Sequence, residues 1–157
     1  MTQEQHDSLQ QIFKMQIELN DFCFASNGIT DTDGLPLSCL DIYRQVLMDR
    51  TGPNDLPNIW LGRYATAMED ELRELRESLL WKWWSKDTID LQNVRVELID
   101  ILHFLVSAMI AAGMGSQDVL STYTQKHTVN VKRQESGYSK ETKTEAENRT
   151  IVPKRKK

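Results

Sequence analysis

Two acidic pairs at three-residue spacing, Glu71-x-x-Glu74 and Glu97-x-x-Asp100, constrain this chain more than any other feature. On a helix that spacing is nearly one turn, so the two carboxylates of a pair share a face. The second pair stands inside Val94–Val106, where most neighbours are apolar. A helix that buries such a stretch needs a partner for each carboxylate, because an unpaired buried charge is very costly. Arg95 and His103 are within sequence reach, but a cation shared between the two pairs serves better. The first pair is more ambiguous on its own. Glu69–Glu77 also contains Asp70, Arg73 and Arg76, and so fits an ordinary solvated face of i,i+3 and i,i+4 ion pairs.

The rest of the chain favours helix. Gly and Pro number only 7 and 4 and fall in a few short stretches, while the intervening segments are rich in Leu, Glu, Arg, Gln and Met. No segment alternates with period two, which predicts an all-α bundle of about five helices. The first runs roughly Thr2–Ser26, with an apolar stripe of Leu9, Ile12, Phe13, Ile17 and Phe24 and a stop at Asn27-Gly28. A short helix follows over about Ser38–Asp49, then a loop over Thr51–Asn58 holding Gly52, Pro53 and Pro57. The third helix starts near Asn58 or Ile59 and reaches about Leu80. Trp81–Lys86 closes it, and Asp87 or Thr88 caps the fourth, about Ile89–Ala112. Ser116 caps a fifth that reaches about Glu135.

The short third-to-fourth connection makes those helices antiparallel neighbours. Counted from Trp84, Glu71 and Glu74 lie about 10 to 13 residues back, and Glu97 and Asp100 about 13 to 16 forward. Both pairs therefore fall at similar heights, which predicts one shared metal site in the core of the bundle. Carboxylate oxygens are the donors that Mg²⁺ prefers, and Mg²⁺ on carboxylates points to phosphate chemistry.

Charge and cysteine use narrow the setting. The net charge is −4, but Lys140–Lys157 holds seven basic and three acidic residues. Removing those from the 19 basic and 23 acidic residues of the whole chain leaves 12 and 20, a body of about −8. Such a body suits divalent cations and argues against a nucleic-acid partner. The division expected is a domain over 1–138 and a disordered basic tail over 139–157, whose Lys154-Arg155-Lys156-Lys157 end reads as a solvated terminus before it reads as a nucleic-acid contact or nuclear signal. Cys23 and Cys39 lack metal spacing and read as free thiols in a reducing cytoplasm. The N-terminus shows no signal-peptide apolar region. Ile101–Ala112 is shorter than the roughly 20 residues a membrane span needs, and reads as a helix buried on most sides.

Other residues carry weaker signals. Trp81, Trp83 and Trp84 put three indoles in four residues, fit for core packing or for stacking on a base, with Lys82 between them placed to reach a phosphate. His103, one turn beyond Asp100, reads as a core or supporting histidine before a ligand, and His6 and His127 show no pattern. Met15, Met48, Met68 and Met109 read as core filler. Lys126, Asn130 and Arg133 fall near one helical face, suited equally to a polyphosphate or to an ordinary basic surface.

Four patches together resemble a known family, the dimeric all-α dUTPases of the MazG-like NTP pyrophosphatase superfamily. They are Gln16-Ile17-Glu18-Leu19-Asn20-Asp21; Glu71-Leu72-Arg73-Glu74 running into Trp81-Lys82-Trp83-Trp84; Asn93 through Phe104; and Lys126 through Tyr138. The resemblance spans about Phe13 to Tyr138. It departs at His127, where an asparagine often follows the lysine, and in a chain shorter than many members.

The resemblance implies hydrolysis of dUTP, with dUDP, to dUMP, as sanitation of the nucleotide pool. It implies Glu71, Glu74, Glu97 and Asp100 as ligands for two or three Mg²⁺ ions, with Mn²⁺ as a substitute. Gln16 and Asn20 would lie near the uracil, Trp84 or Trp60 would close the pocket, and Lys126, Asn130 and Arg133 would face phosphate or sugar. A helical homodimer is implied. Within that frame Glu74 is the expected general base, and Lys82, Lys126 and Arg133 the groups that meet developing charge. The rivals are a MazG-type enzyme acting on dCTP or on modified or unselected dNTPs, and a helical interaction module without chemistry.

Overall fold

The computed structural model describes residues 3–135, Gly137 and Ile151, with side chains from Ser8 onward. Five α-helices account for most of them: α1 Gln3–Ser26, α2 Cys39–Leu47, α3 Leu56–Glu77, α4 Leu91–Ala111 and α5 Ser116–Glu135. Among the described residues there is no β-strand, only an isolated bridge between Thr30 and Pro36. The all-α expectation therefore holds. The expected tail over 139–157 lies outside the described residues, apart from Ile151.

Local chemistry sets the helix limits. Ser38 and Asp41 form a reciprocal capping box at the start of α2, where hydrogen bonds from Ser38 hold the Asp41 carboxyl below its ordinary range. The α3 start comes earlier than the loop residues foretold, because Pro57 fits the first turn and Gln45 Oε1 accepts from the Leu56 amide at 2.8 Å. The α4 cap is Asp90 rather than Asp87 or Thr88, its carboxylate accepting from the Gln92 and Asn93 amides at 3.0 and 3.1 Å. Asp87 is held by the Ser85 hydroxyl instead.

The chain divides into two compact units, Gln11–Gly113 and the combination of Met1–Gln10 with Met114–Lys157. In the first, α3 packs along α4. Ser78 meets Asn93 at 2.7 Å, and two turns back Glu71 meets Glu97 and Asp100. Those residue numbers converge from opposite directions, so the helices run antiparallel, as expected. By contrast, Gln16 meets His103 and Asn20 meets Ser107, both across the same sequence offset, so α1 runs parallel to α4. Phe24 and Trp60 bring their rings to 4.6 Å, and Tyr64 continues the cluster at 5.7 Å from Trp60. Behind them Val46 presses on the end of α4. Gly113 has φ +76°, and a Cβ there would stand 2.7 Å from Val46 Cγ1, so both conformation and space require glycine.

Four expectations fail on burial. On α1 the buried stripe is Phe13, Gln16, Asn20 and Phe24, while Ile12 and Ile17 are exposed. On α4 Val106, Ile110 and Ala111 are buried, but Leu98, Ile99, Leu102 and Leu105 stand at the surface, so the helix is not covered on most sides. Met15 and Met48 are exposed, not core filler. None of Trp81, Trp83 and Trp84 packs into the core; they stack edge-to-face on one another in the exposed α3–α4 connection. No single described helix is long and apolar enough to cross a membrane. In the second unit, Lys126, Asn130 and Arg133 sit at four- and three-residue spacing on α5 and share a face.

Candidate functional site

Three helical faces of the Gln11–Gly113 unit enclose a cleft of about 540 Å³. Trp60, Tyr64 and Glu71 recur at four- and seven-residue spacing on α3. Asp100, His103 and Ser107 follow one another up α4, and Gln16 and Asn20 face them from α1. The cleft is acidic at one end and carries uncharged polar groups at the other, where Phe24, Trp60 and Tyr64 form an aromatic wall.

At the acidic end, Glu71, Glu97 and Asp100 bring one carboxylate oxygen each within 4.8 Å of one another. Glu97 is only 8% exposed and takes a hydrogen bond from Asn93 Nδ2 at 3.1 Å. Burial holds the Glu71 carboxyl above its usual range, with the charges of Glu74, Asp100, Glu97 and Asp70 adding to the effect. Glu74 stands one turn along α3, outside the trio, with Arg73 at 3.5 Å. Arg73 itself turns outward, pairing with Asp70 and Glu77 at 2.7 Å each. The segment thus shows two faces: an ion-paired surface through Arg73, and the Glu71 carboxylate brought beside Glu97 and Asp100 of α4.

This trio fits a divalent cation. Its donors are all carboxylate oxygens, close enough to share an ion, and one of them is nearly buried. Three like charges so placed repel, as the raised Glu71 carboxyl shows, and a hard cation removes the repulsion.

The other end is a chain of hydrogen bonds. His103 Nδ1 meets Gln16 Oε1 at 2.7 Å, Gln16 Nε2 donates to Asn20 Oδ1 at 2.9 Å, and Ser107 Oγ reaches Asn20 Oδ1 at 3.1 Å. Gln16, Asn20 and Ser107 are all buried. Asn20 Nδ2, shut off from solvent, has no acceptor, a state costing about 1–3 kcal/mol. The Asn20 side chain neighbours the Cys39 thiol, a weak acceptor at best. Burial and the adjacent Asp21 push that thiol up to about 12, so it is inert; Cys23 is exposed on the cleft, and both cysteines are free, as expected. Burial likewise raises Tyr64.

The structure thus brings together Glu71, Glu97, Asp100, Gln16, Asn20 and Trp60 around one cleft. Trp60 is 8% exposed, with the Arg63 guanidinium 4.5 Å over its ring. Lys82 and Trp84 lie in the exposed connection and do not line the cleft; Lys82 Nζ rests 5.3 Å from the Trp81 ring. Lys126, Asn130 and Arg133 belong to the second unit. His103 is not in the carboxylate trio and supports Gln16, in keeping with its sequence reading. Sequence reasoning missed Ser107, Phe24 and Tyr64. For Ser107 a signal existed: the four-residue step from His103 to Ser107 matches that from Gln16 to Asn20, as two parallel helices require.

A bundle that assembles a carboxylate trio and a buried amide chain around one cleft defines a helical ligand-binding scaffold with a place for a hard cation. Comparison with known proteins gives its family. The dUTPase family matches residues 8–117, and the chain belongs to it. The chain is 28% identical to the dCTP pyrophosphatase of Enterobacteria phage T4 over 104 aligned positions, 50% of this chain and 61% of the relative. It is 30% identical to the dCTP pyrophosphatase of Enterobacteria phage LZ5, with 50% and 60% covered. A DNA replication protein of phage T4 is 28% identical over 100 positions, 46% of this chain and 26% of that protein. The chain therefore spans about 60% of the length of the two pyrophosphatases it matches. No solved structure matches it.

Proposed function

We propose that the chain is a Mg²⁺-dependent nucleoside triphosphate pyrophosphohydrolase that converts dUTP, and dUDP, to dUMP. The observation that carries this reading is the two-ended cleft, with a carboxylate trio that calls for a cation and an amide chain beside aromatic walls. Family membership supports it independently. Glu71, Glu97 and Asp100 would hold the ion, with Glu74 completing the quartet from the next turn of α3. An ion held there would supply charge neutralisation for the polyphosphate. Glu74 would accept the proton of the attacking water. Gln16 and Asn20 would lie near the base, and Trp60 would offer it a wall. The resemblance assigns Lys82, Trp84, Lys126, Asn130 and Arg133 to phosphate, sugar or closure.

Two further points support finer parts of the proposal. A homodimer is favoured by apolar residues left exposed at helical spacing: Ile12, Met15, Leu19 and Phe22 on α1, and Leu98, Leu102 and Leu105 on α4. A second substrate reading, dCTP in place of dUTP, is favoured by the names of the phage relatives.

Pyrophosphate release from dUTP, dCTP, dTTP and UTP, with Mg²⁺ and with EDTA, tests the proposal. Mg²⁺-dependent release from dUTP above the others is the expected result. Preference for dCTP would move the substrate and keep the chemistry. Inactivity on all four would overturn the reading.

A further inference from the structure

The hydrogen-bond chain at the uncharged end has a direction, and the direction has a consequence. Gln16 places Nε2 toward Asn20 and Oε1 toward His103. The proton between Gln16 and His103 must then sit on His103 Nδ1, since an oxygen lone pair cannot donate. In a neutral imidazole that leaves Nε2 as a bare acceptor, on a side chain that lines the cleft. The same four side chains also fit together in reverse. Asn20 Nδ2 would donate to Gln16 Oε1 and Ser107 Oγ, Gln16 Nε2 would donate to His103 Nδ1, and His103 Nε2 would carry the hydrogen. The reverse direction even meets the Asn20 donor that the described direction leaves without an acceptor.

We propose that Ser107, Asn20, Gln16 and His103 form a polarity relay that makes His103 Nε2 an acceptor and thereby selects the pyrimidine the cleft takes. The inference rests on the nucleotide reading given above. Uracil and cytosine have nearly the same outline and differ in hydrogen-bond polarity. Uracil offers a donor at N3 and an acceptor at position 4; cytosine offers the opposite at both. A cleft with one fixed acceptor facing N3 accepts uracil and meets cytosine lone pair against lone pair. Apolar walls cannot make that distinction, so it falls to the polar side chains that line the cleft, and all four relay residues are among them.

Ser107 is the positioning residue, one turn beyond His103 on α4. It is 1% exposed, and its hydroxyl has two acceptors in reach, Asn20 Oδ1 at 3.1 Å and the His103 carbonyl at 2.9 Å. The hydroxyl has one hydrogen: given to Asn20 Oδ1 it sets the oxygen of that amide toward Gln16, and given to the His103 carbonyl it leaves Oγ able to accept from Asn20 Nδ2. Ser107→Ala removes a single oxygen, leaves the packing near its original volume, and frees the chain to run either way. Ser107→Thr keeps the hydroxyl.

Two measurements test the proposal on the intact protein. The first is the ring ¹⁵N spectrum of His103 without metal or nucleotide, resolved from His6 and His127 by a His103→Gln control. A protonated Nδ1 with a bare Nε2 is expected, shifting toward a mixture in Ser107→Ala; a hydrogen fixed on Nε2 in the unaltered protein overturns the relay as drawn. The second is the ratio of kcat/KM for dUTP and dCTP. The unaltered protein and Ser107→Thr should discriminate by at least about tenfold, and Ser107→Ala by severalfold less, through KM rather than kcat. A ratio unmoved by Ser107→Ala overturns the relay and leaves the pyrophosphohydrolase reading standing. A preference for dCTP overturns both the relay as drawn and the dUTP assignment, since an acceptor facing N3 rejects cytosine. If no nucleotide is hydrolysed, the proposed function fails, and the histidine spectrum still decides whether the relay exists.

Discussion

The acidic end and the uncharged end of the cleft are built the same way and left in opposite states. Each is made where α4 meets one other helix of the Gln11–Gly113 unit, α3 at the carboxylates and α1 at the amides, and each gathers side chains one turn apart. At the amide end the groups answer one another: three hydrogen bonds link four side chains, and a single donor is left over. At the acidic end the groups oppose one another, three carboxylates within 4.8 Å. One end is nearly complete as folded. The other would be completed by a cation. The proposed function would use this division, since base recognition depends on preset geometry and phosphate chemistry on a bound metal.

The largest effect should come from breaking the acidic end. Asp100→Asn removes one of the three charges and leaves the side chain's shape. It should lower Mg²⁺-dependent turnover by about 10³-fold or more, with helical content and melting temperature little changed, checked by steady-state kinetics beside circular dichroism. Glu74→Gln should do the same if Glu74 is the base. Because Glu74 stands outside the trio, its loss should leave Mg²⁺ binding by calorimetry closer to normal than Asp100→Asn does. An active, folded Glu74→Gln protein would remove that role from it.

A smaller effect, and a different kind, is expected at the wall of the uncharged end. Trp60 is nearly buried between Phe24 and Tyr64. Trp60→Ala should cost about 3–5 kcal/mol of stability through the cavity it leaves, read from urea denaturation. It should also weaken nucleotide binding in EDTA, where the acidic end contributes nothing favourable. If instead the two ends failed together under either substitution, the division between them would not hold.

How much of this could be read from the residues also differs between the ends. The carboxylates announced themselves, because charges within an apolar helical run demand an explanation, and a short connection fixed their heights. The antiparallel pairing of α3 and α4 and the limits of α5 followed from the same local signals. The amide end was legible only by resemblance. A glutamine and an asparagine on an amphipathic helix look like surface residues, and the apolar stripe assigned to α1 took in Ile12 and Ile17, which face outward, over Gln16 and Asn20, which face inward. Period alone could not have shown this, since which face turns inward depends on a parallel helix more than 80 residues away. The tryptophans misled for the opposite reason: hydrophobicity suggested core packing for at least one ring, yet all three are exposed in the connection that carries them.

The mildest prediction concerns the cost of leaving the acidic end without its cation. Burial and four neighbouring carboxylates raise the Glu71 pKa above its unfolded value. A carboxyl shifted that way binds its proton more tightly in the folded state, so the folded state holds more protons than the unfolded state through the titration window. Stability of the metal-free protein should therefore fall as pH rises through that window, from the unfolded carboxylate value to the raised folded one. The loss should stay in full above it. Glu71→Gln has no such proton to lose. In EDTA at neutral pH it should melt about 2–4 °C above the unaltered protein, and the gap should close as the pH is lowered below the carboxylate range. Added Mg²⁺ should reverse the order, stabilising the unaltered protein more than Glu71→Gln, because only the former keeps the whole trio. A Glu71→Gln protein that melts lower than the unaltered one in EDTA at neutral pH would mean that the acidic end is satisfied from within, as the amide end is, and the contrast between the two would be lost.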